Sequence, residues 1–331
     1  MSTARYFVNR TLQTVLLLWG ILTFLFLLFR AMPGDPGTLM LNSGASPEAV
    51  AAARARWGLD EPIHIQYLQY VRSLATFNLG NSLTSGVPVW ELVRMKIFNT
   101  FILVGPATVA FYIIGSIVGA VLGSKRGTKL ESYGIIPFFV MGTMPSFFLS
   151  IILVVVFAMY LNLFPTSGMF SPGFLALHPE WPWWRPYFTQ NFLHHYILPF
   201  TAVILRYVYS PLLVMRTSVT EVMGQDFTYY HRITGLPSKK RLKHVSKHAS
   251  LPVITLFPTS MLQAVSGLVL IEVVFNWPGI GNLLVHSILG RDYPVVQFVF
   301  FAAAVSVVLG NYAVDILYGV IDPRVSVTDD A

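Results

Sequence analysis

The chain has 331 residues, of which 54% are hydrophobic and 11% charged, and its formal net charge is +7. A typical soluble domain is about 25% charged, so the composition excludes an ordinary soluble protein and favours one membrane domain with an inserted polar segment. The absence of cysteine excludes disulfides, thiolate metal sites and cysteine nucleophiles.

Six apolar segments are long enough to cross a bilayer, because a spanning helix needs about 20 mostly apolar residues. The first segment is Leu12–Phe29. The residues after it, Arg30-Ala31-Met32-Pro33, do not fit the small-residue site at which signal peptides are cleaved, so we predict a retained helix rather than a signal peptide. The pattern predicts an all-α polytopic membrane protein with six transmembrane helices. The other five segments are Phe101–Gly123, Ile135–Leu161, Tyr196–Met215, Leu251–Phe275 and Val295–Ile321. Pro145 interrupts Ile135–Leu161, and Arg206 interrupts Tyr196–Met215.

A polar insert, residues 31–100, separates the first two apolar segments. Ser46 and Pro47 signal the start of a helix that would end at Gly58. Apolar positions at helical spacing predict a second helix over Ile65–Leu79. A small helical cap outside the membrane and a loop packed on its surface both fit this pattern. The chain thus divides into the N-terminus with the first helix (1–30), the insert, and a core of five helices (101–331).

The distribution of lysine and arginine predicts the orientation in the membrane. With the N-terminus in the cytoplasm, most basic residues of the short loops lie inside, and the short outside loops hold only Arg185 and Arg291. Both termini are then cytoplasmic. The excess of positive charge reflects this bias and requires no nucleic-acid partner.

The cytoplasmic loop 216–250 contains the stretch DFTYYHRITGLPSKKR. Asp226 is a candidate N-cap, and Gly235 can supply the left-handed residue that ends a helix of two turns. Such a compact helix suits a groove in a partner protein, with Phe227, Tyr230 and Leu236 as buried contacts. The alternative is a surface loop that only links two spans.

Five polar residues fall within predicted spans, where polar groups are expensive and often functional. Asn311 and Asp315 are four apart on one helical face and suit an interhelical hydrogen-bond clamp. Arg206 is predicted either to pair with Glu272 or Asp315, or to line a polar path for an anionic solute. The full set is Arg206, Gln263, Glu272, Asn311 and Asp315.

No motif in the sequence organises bond chemistry. The nucleotide-binding pattern GxxxxGK[ST] and the hydrolase patterns HExxH and GxSxG are missing. His194 and His195 lack acidic neighbours, so we predict no metal site. An intramembrane enzyme would require residues that converge only in space.

Several stretches together resemble the dipeptide/oligopeptide family of ABC importer permeases, specifically the first of its two permease subunits. The likeness covers nearly the whole chain. The matching stretches are RAMPGDP, WGLDEPIHIQYLQYV with NLGNSL, MPSFFLSIILVVVFAMYLNLFPTSG, EVVFNWPGIGNLLVHSILGRDYPVV and NYAVDILYGVIDPR.

The resemblance implies the type I ABC importer permease fold in a prokaryotic plasma membrane. It implies four partners besides membrane lipid: a second homologous permease, two ATP-binding subunits that carry ATP and Mg, and an external solute-binding protein. This chain would hold no cofactor. Transport would proceed by alternating access, with peptides as the default solute and oligosaccharide, nickel or glutathione as others. The rival interpretation is a secondary transporter without ATPase partners.

The resemblance also assigns two sets of site residues. The cytoplasmic loop becomes the segment that docks on an ATPase, although Tyr229, Tyr230 and His231 stand where the family has small residues. The external loop 276–295 lies near the substrate entrance, and its Pro278, Gly279 and Gly281 independently argue against a regular helix there. The coupling set is Arg216, Asp226, Phe227, Tyr230, His231, Gly235 and Leu236; the entrance set is Trp277, Pro278, Gly279, Gly281, Arg291 and Asp292.

Overall fold

The structure, a computed structural model, describes residues 3–31, 47, 48, 50, 51, 54 and 60–321. This part of the chain is mainly α-helical. Arg185–Phe188 forms a 3₁₀ turn, and Val154–Tyr160 is a π-helical continuation of α6. In chain order the helices are α1 (Thr3–Ala31), α2 (Ile63–Ala75), α3 (Val89–Ser124), α4 (Lys129–Gly134), α5 (Ile136–Thr143), α6 (Ser146–Leu153), α7 (Gln190–Tyr207), α8 (Tyr209–Val222), α9 (Asp226–Ile233), α10 (Ser238–Ala249), α11 (Leu251–Gly267), α12 (Val269–Val274), α13 (Ile280–Leu289) and α14 (Tyr293–Ile321).

The prediction of an all-α polytopic membrane protein is confirmed. In the described part, three helices are long and apolar enough to cross a membrane. Two bent pairs raise this to five if each pair is one span: Lys129–Thr143 with Ser146–Tyr160, bent by 106°, and Gln190–Tyr207 with Tyr209–Val222, bent by 41°. The three single helices are Val8–Ala31, Val89–Ser124 and Tyr293–Ala313.

The predicted span Leu251–Phe275 is helical but not continuous. α11 ends at Gly267 and α12 begins at Val269, so the apolar helix here is shorter than a full span. Glycine has a low helix propensity, which favours a break at this point. The two short helices replace the single helix that the hydropathy predicted.

The bend in the third apolar segment follows from Pro145. Steric contact with a proline ring disfavours helical backbone at the preceding residue, and Met144 is extended (φ −62°, ψ 141°). α5 therefore stops at Thr143 and α6 starts at Ser146. The predicted interruption at this proline is confirmed.

One compact unit takes in the described residues of Met1–Ile97 and Leu283–Ala331. α1 packs along α14, and a hydrogen bond of 2.8 Å joins the hydroxyls of Thr11 and Tyr312. α2 packs on α1 through a bond of 2.7 Å between Thr23 and Tyr67. α2 corresponds to the helix predicted over Ile65–Leu79, whereas the turn at Arg30–Pro36 and the helix predicted from Ser46 to Gly58 fall largely outside the described residues.

The second unit spans Phe98–Asn282 and holds the larger apolar core. In it, Gly115, Gly119 and Gly123 line one face of α3 and touch the backbone of α8. A Cβ atom on Gly115 would lie 2.8 Å from the carbonyl oxygen of Val208, and one on Gly123 2.7 Å from that of Arg216. These glycines therefore let the two helices meet main chain to main chain, as small residues do in membrane helix pairs.

Candidate functional site

In the second unit, α9 is a short helix closed at both ends. At its C-terminus Gly235 is left-handed (φ 72°), the Leu236 N–H donates to the His231 carbonyl (3.1 Å), and the Gly235 N–H donates to the Arg232 carbonyl (3.2 Å). This is the Schellman arrangement. The predicted helix stop at Gly235 is confirmed.

The prediction that Asp226 is the N-cap is wrong by one residue. Gln225 occupies the cap position with extended backbone and makes no side-chain cap bond, and Asp226 is the first helical residue. The Thr228 hydroxyl instead donates to the carbonyls of Met223 and Gln225, at 2.8 Å each. This pair of bonds fixes the turn that leads into α9, and Asp226 in the first turn still suits the positive end of the helix dipole.

The side chains of α9 divide between an inner and an outer face. Phe227 and His231 point towards α10, with ring centroids 5.1 Å from His248 and 5.2 Å from His244 respectively. Tyr230 is 61% exposed. Of the predicted coupling residues, Tyr230 is thus the large side chain offered to a partner, together with the equally exposed Tyr229 and Ile233.

Arg216, at the start of the loop 216–250, forms an ion pair with Glu131, a residue that was not among the predicted site residues. Its Nε donates to Oε1 of the buried Glu131 at 2.9 Å, and its Nη2 donates to the same oxygen. The Gly127 N–H donates to Oε2 of Glu131 (2.7 Å), and the Thr128 hydroxyl accepts the Glu131 N–H. The spacing Thr128-x-x-Glu131 is a helix-start pattern that could have drawn attention to this pair.

A second group of contacts in the second unit surrounds Glu272, which is 0% exposed. Its Oε1 accepts the hydroxyl of Thr100 (2.6 Å) and its Oε2 accepts the N–H of Asn282 (3.0 Å). A Cβ on Gly279 would overlap the carboxylate, and one on Gly281 would lie 3.0 Å from Oε2. Glycine is therefore required at 279 because Glu272 occupies the space beside it, and at 281 because the Cα atom of Val269 would lie 2.6 Å from a Cβ atom there.

The segment between α12 and α13 is non-helical only over part of the predicted range. Asn276 is left-handed (φ 45°) and ends α12, but Gly281 lies in the first turn of α13 rather than in a loop. Trp277, Gly279 and Gly281 are buried, and Pro278 is half-buried. The irregular backbone around Trp277 and Gly279 is therefore enclosed by protein.

A second buried carboxylate, Asp292, lies in the first unit and is 1% exposed. It accepts hydrogen bonds from the hydroxyl of Ser82, the N–H of Leu83 (3.0 Å), and both the N–H (3.4 Å) and hydroxyl (2.8 Å) of Thr84. It therefore joins the NLGNSL stretch to the RDYP stretch. The preceding Arg291 is exposed and left-handed (φ 53°), a conformation that costs a non-glycine residue about 1–2 kcal/mol.

We expect Asp292→Asn to lower the free energy of unfolding by about 3 kcal/mol, because the new amide group faces donors and leaves buried hydrogen bonds unmade. Thermal or denaturant unfolding of the purified protein measures the change. The matched control is Asp60→Asn, which removes an exposed ion pair with Arg54 and should cost less than about 1 kcal/mol. Equal effects of the two substitutions would refute a special role for Asp292.

Arg206 does not bind Glu272, one of its two predicted partners, while the pairing with Asp315 and the polar path for a solute stay predictions. Its Nη1 donates to the carbonyl of Gly142 at 2.7 Å, and its guanidinium lies 5.2 Å from the ring centroid of Tyr207. The break at Pro145 places Gly142 in the last turn of α5, where carbonyls have no donor within the helix. Arg206 therefore stabilises the bend in the third apolar segment rather than pairing with Glu272.

The other polar residues of the spans form no common cluster in the described part. Gln263 is exposed, and its backbone carbonyl accepts the Tyr207 hydroxyl at 3.5 Å. Asn311 is exposed, and the side chain of Asp315 lies outside the description, so the proposed clamp between them stays a prediction. No group of three or more metal-ligating side chains suited to an ion occurs in the described residues.

Comparison with known proteins gives two family matches and several close relatives. Residues 82–327 match the family "binding-protein-dependent transport system inner membrane component", and residues 3–103 match its N-terminal membrane component. The chain is 33% identical to the oligopeptide transport system permease protein AppB of Bacillus subtilis, over 97% of this chain and 99% of that protein. It is 32% identical to the dipeptide transport system permease protein DppB of Escherichia coli, over 92% and 94% respectively.

Proposed function

Because this chain belongs to the family of binding-protein-dependent transport system inner membrane components, we propose that the solute it carries is a peptide. The chain is a membrane permease subunit of an ABC importer and not an enzyme; the ATPase is on separate subunits. The proposal of a peptide solute rests on one observation: nearly the whole chain matches relatives named for oligopeptide and dipeptide transport.

The proposed contact with the ATPase is the outer face of α9. The helix is short, capped by the turn at Thr228 and the stop at Gly235, and it exposes Tyr230 within a basic loop. Arg216 anchors the start of this loop to α4. ATP and Mg then bind on the partner, and closure of the ATPase pair moves α9. The remaining coupling residues position the helix. Phe227 and His231 pack it against α10, and Asp226 and Leu236 lie at its two ends.

The proposed solute entrance lies on the external side, near the loop 276–295. Here the binding protein would release its solute into a cavity shared with a second homologous permease subunit, and the pair would alternate between outward-open and inward-open states. Two ATP-binding subunits complete the assembly in a prokaryotic plasma membrane. The basic cytoplasmic loop supports an orientation with both termini inside.

Purification of the tagged chain from its native membrane in mild detergent tests this proposal. We expect a second permease, ATP-binding subunits and a binding protein to co-purify, and the complex reconstituted in vesicles to import labelled peptides with ATP. Unlabelled di- and oligopeptides should compete, whereas glutathione, Ni²⁺ and oligosaccharides should not. Import by the chain alone, driven by an ion gradient, would instead support a secondary transporter.

A further inference from the structure

We propose that five residues form a clasp that stays closed throughout the transport cycle, so that the external segment Trp277–Asn282 moves as one body with the turn of α3 that holds Asn99 and Thr100. The inference rests on the proposed transport function and adds to it by naming an external element that does not open. The clasp consists of Asn99, Thr100, Glu272, Trp277 and Asn282.

The first half of the clasp is the carboxylate of Glu272. Each of its oxygens accepts a hydrogen bond, from the Thr100 hydroxyl and from the Asn282 N–H. The Thr100 hydroxyl oxygen in turn accepts the N–H of Ile280 at 2.9 Å. A single threonine on α3 thereby holds both the end of α12 and the start of α13, and the carboxylate is fully enclosed.

The second half is formed by Asn99, the neighbour of Thr100. Its side-chain amide donates to the carbonyl of Pro278 (2.9 Å), and its backbone carbonyl accepts the indole N–H of Trp277 (2.9 Å). Its amide oxygen accepts the hydroxyl of Tyr187 at 2.8 Å. Burial raises the pKa of Tyr187, so this hydroxyl remains protonated and able to donate.

Separating the segment from α3 would require all of these bonds to break together. Glu272 and Trp277 are both 0% exposed, so no water contacts their polar atoms. Breaking the hydrogen bonds would leave these buried atoms without partners, which costs free energy. Gly279 and Gly281 also lie directly beside the Glu272 carboxylate, so the segment has no space to slide past this side chain. Segments that move during function usually have few buried contacts. The segment Trp277–Asn282, in contrast, has many.

A reversible cross-link tests whether the clasp opens. Thr100→Cys with Ile280→Cys introduces two thiols into a chain that has none, at positions where the Thr100 hydroxyl oxygen lies 2.9 Å from the backbone nitrogen of Ile280. The reconstituted importer is assayed reduced, oxidised, and after treatment with dithiothreitol, with the two single variants as controls for the oxidant. We expect the disulfide to form and oxidised transport to stay within about twofold of reduced transport.

A fall in transport of about tenfold or more that dithiothreitol reverses would overturn the proposal, since it would show that the clasp must open. Failure of the two thiols to join, directly or through a short thiol-specific linker, would equally count against it. Both results are read relative to the reduced protein, so any loss caused by the substitutions themselves is separated from the effect of the cross-link.

A second measurement is independent of transport. We expect the thiol of Ile280→Cys to react about tenfold faster with a water-soluble maleimide when combined with Thr100→Val, which removes the hydroxyl while keeping the shape. Thr100→Ser, which keeps the hydroxyl, should leave the rate unchanged. Equal rates in the two backgrounds would refute the clasp. Because this assay needs no solute, it holds even if peptides prove not to be the substrate.

Discussion

We expect Gly119→Leu to abolish transport and to prevent isolation of a stable protein. A Cβ atom on Gly119 would clash with the carbonyl oxygen of Leu212 and would lie 3.0 Å from Cβ of Met215 and 3.1 Å from the N atom of Arg216. A side chain can enter only if α3 and α8 separate. Overpacking a well-packed core costs about 1–3 kcal/mol, and a clash with backbone atoms allows less relief than a clash with a flexible side chain.

Separation of these helices would also disturb the cytoplasmic loop, because Arg216 at the end of the contact is the residue that binds Glu131. We expect Gly119→Ala to be intermediate. Yield, monodispersity in detergent and peptide import measure the effect. Two glycine controls with room for a methyl group are Gly20→Ala, with no atom within 4 Å, and Gly105→Ala, whose nearest neighbour lies at 3.5 Å; losses there comparable to Gly119→Leu would refute the explanation.

We expect Tyr230→Ala to uncouple the importer while leaving the permease folded. The side chain is 61% exposed, so its loss removes little of the protein's own packing. Aromatic anchors at the centre of an interface contribute about 2 kcal/mol or more, which corresponds to a loss of binding of roughly 30-fold. The reconstituted variant should therefore hydrolyse ATP without import, or lose its ATP-binding subunits on purification.

The matched control for Tyr230→Ala is Tyr160→Ala, an equivalent change of a side chain that is 83% exposed and lies outside the cytoplasmic loop. It should import peptides normally. Thermal unfolding of both permease variants should match that of the unchanged protein, since both tyrosines face outwards. Normal ATP-driven import by Tyr230→Ala would refute docking through this face of α9.

Much of the architecture could be predicted because it depends on local sequence. Long apolar runs identified the spans, a proline identified the bend at Pro145, and a glycine identified the end of α9 at Gly235. Such signals act within one or two turns of the residue that carries them. The N-cap of α9 was misplaced by one residue because the turn is fixed by Thr228, whose side chain reaches back to Met223.

Partners distant in sequence could not be predicted in the same way. An intramembrane arginine suggests a carboxylate partner, yet Arg206 binds a carbonyl that becomes available only through the bend at Pro145. The hydrogen bonds that Glu272 accepts from the Thr100 hydroxyl and the Asn282 N–H could likewise not be predicted from local sequence. The repeated glycine spacing from Gly115 to Gly123 was visible in the sequence and is typical of close helix pairs, but only the structure shows that α8 lies against it.

The pairing of α1 with α14 has a consequence for synthesis of the protein. Thr11 and Tyr312 share a hydrogen bond across 301 residues of sequence. At about 5–20 residues per second, a ribosome needs roughly 15–60 s to make the intervening chain. During that time the apolar face of α1 must be covered by lipid or by another protein of the insertion machinery. The unit that contains α1 is therefore completed only after α14 has been made.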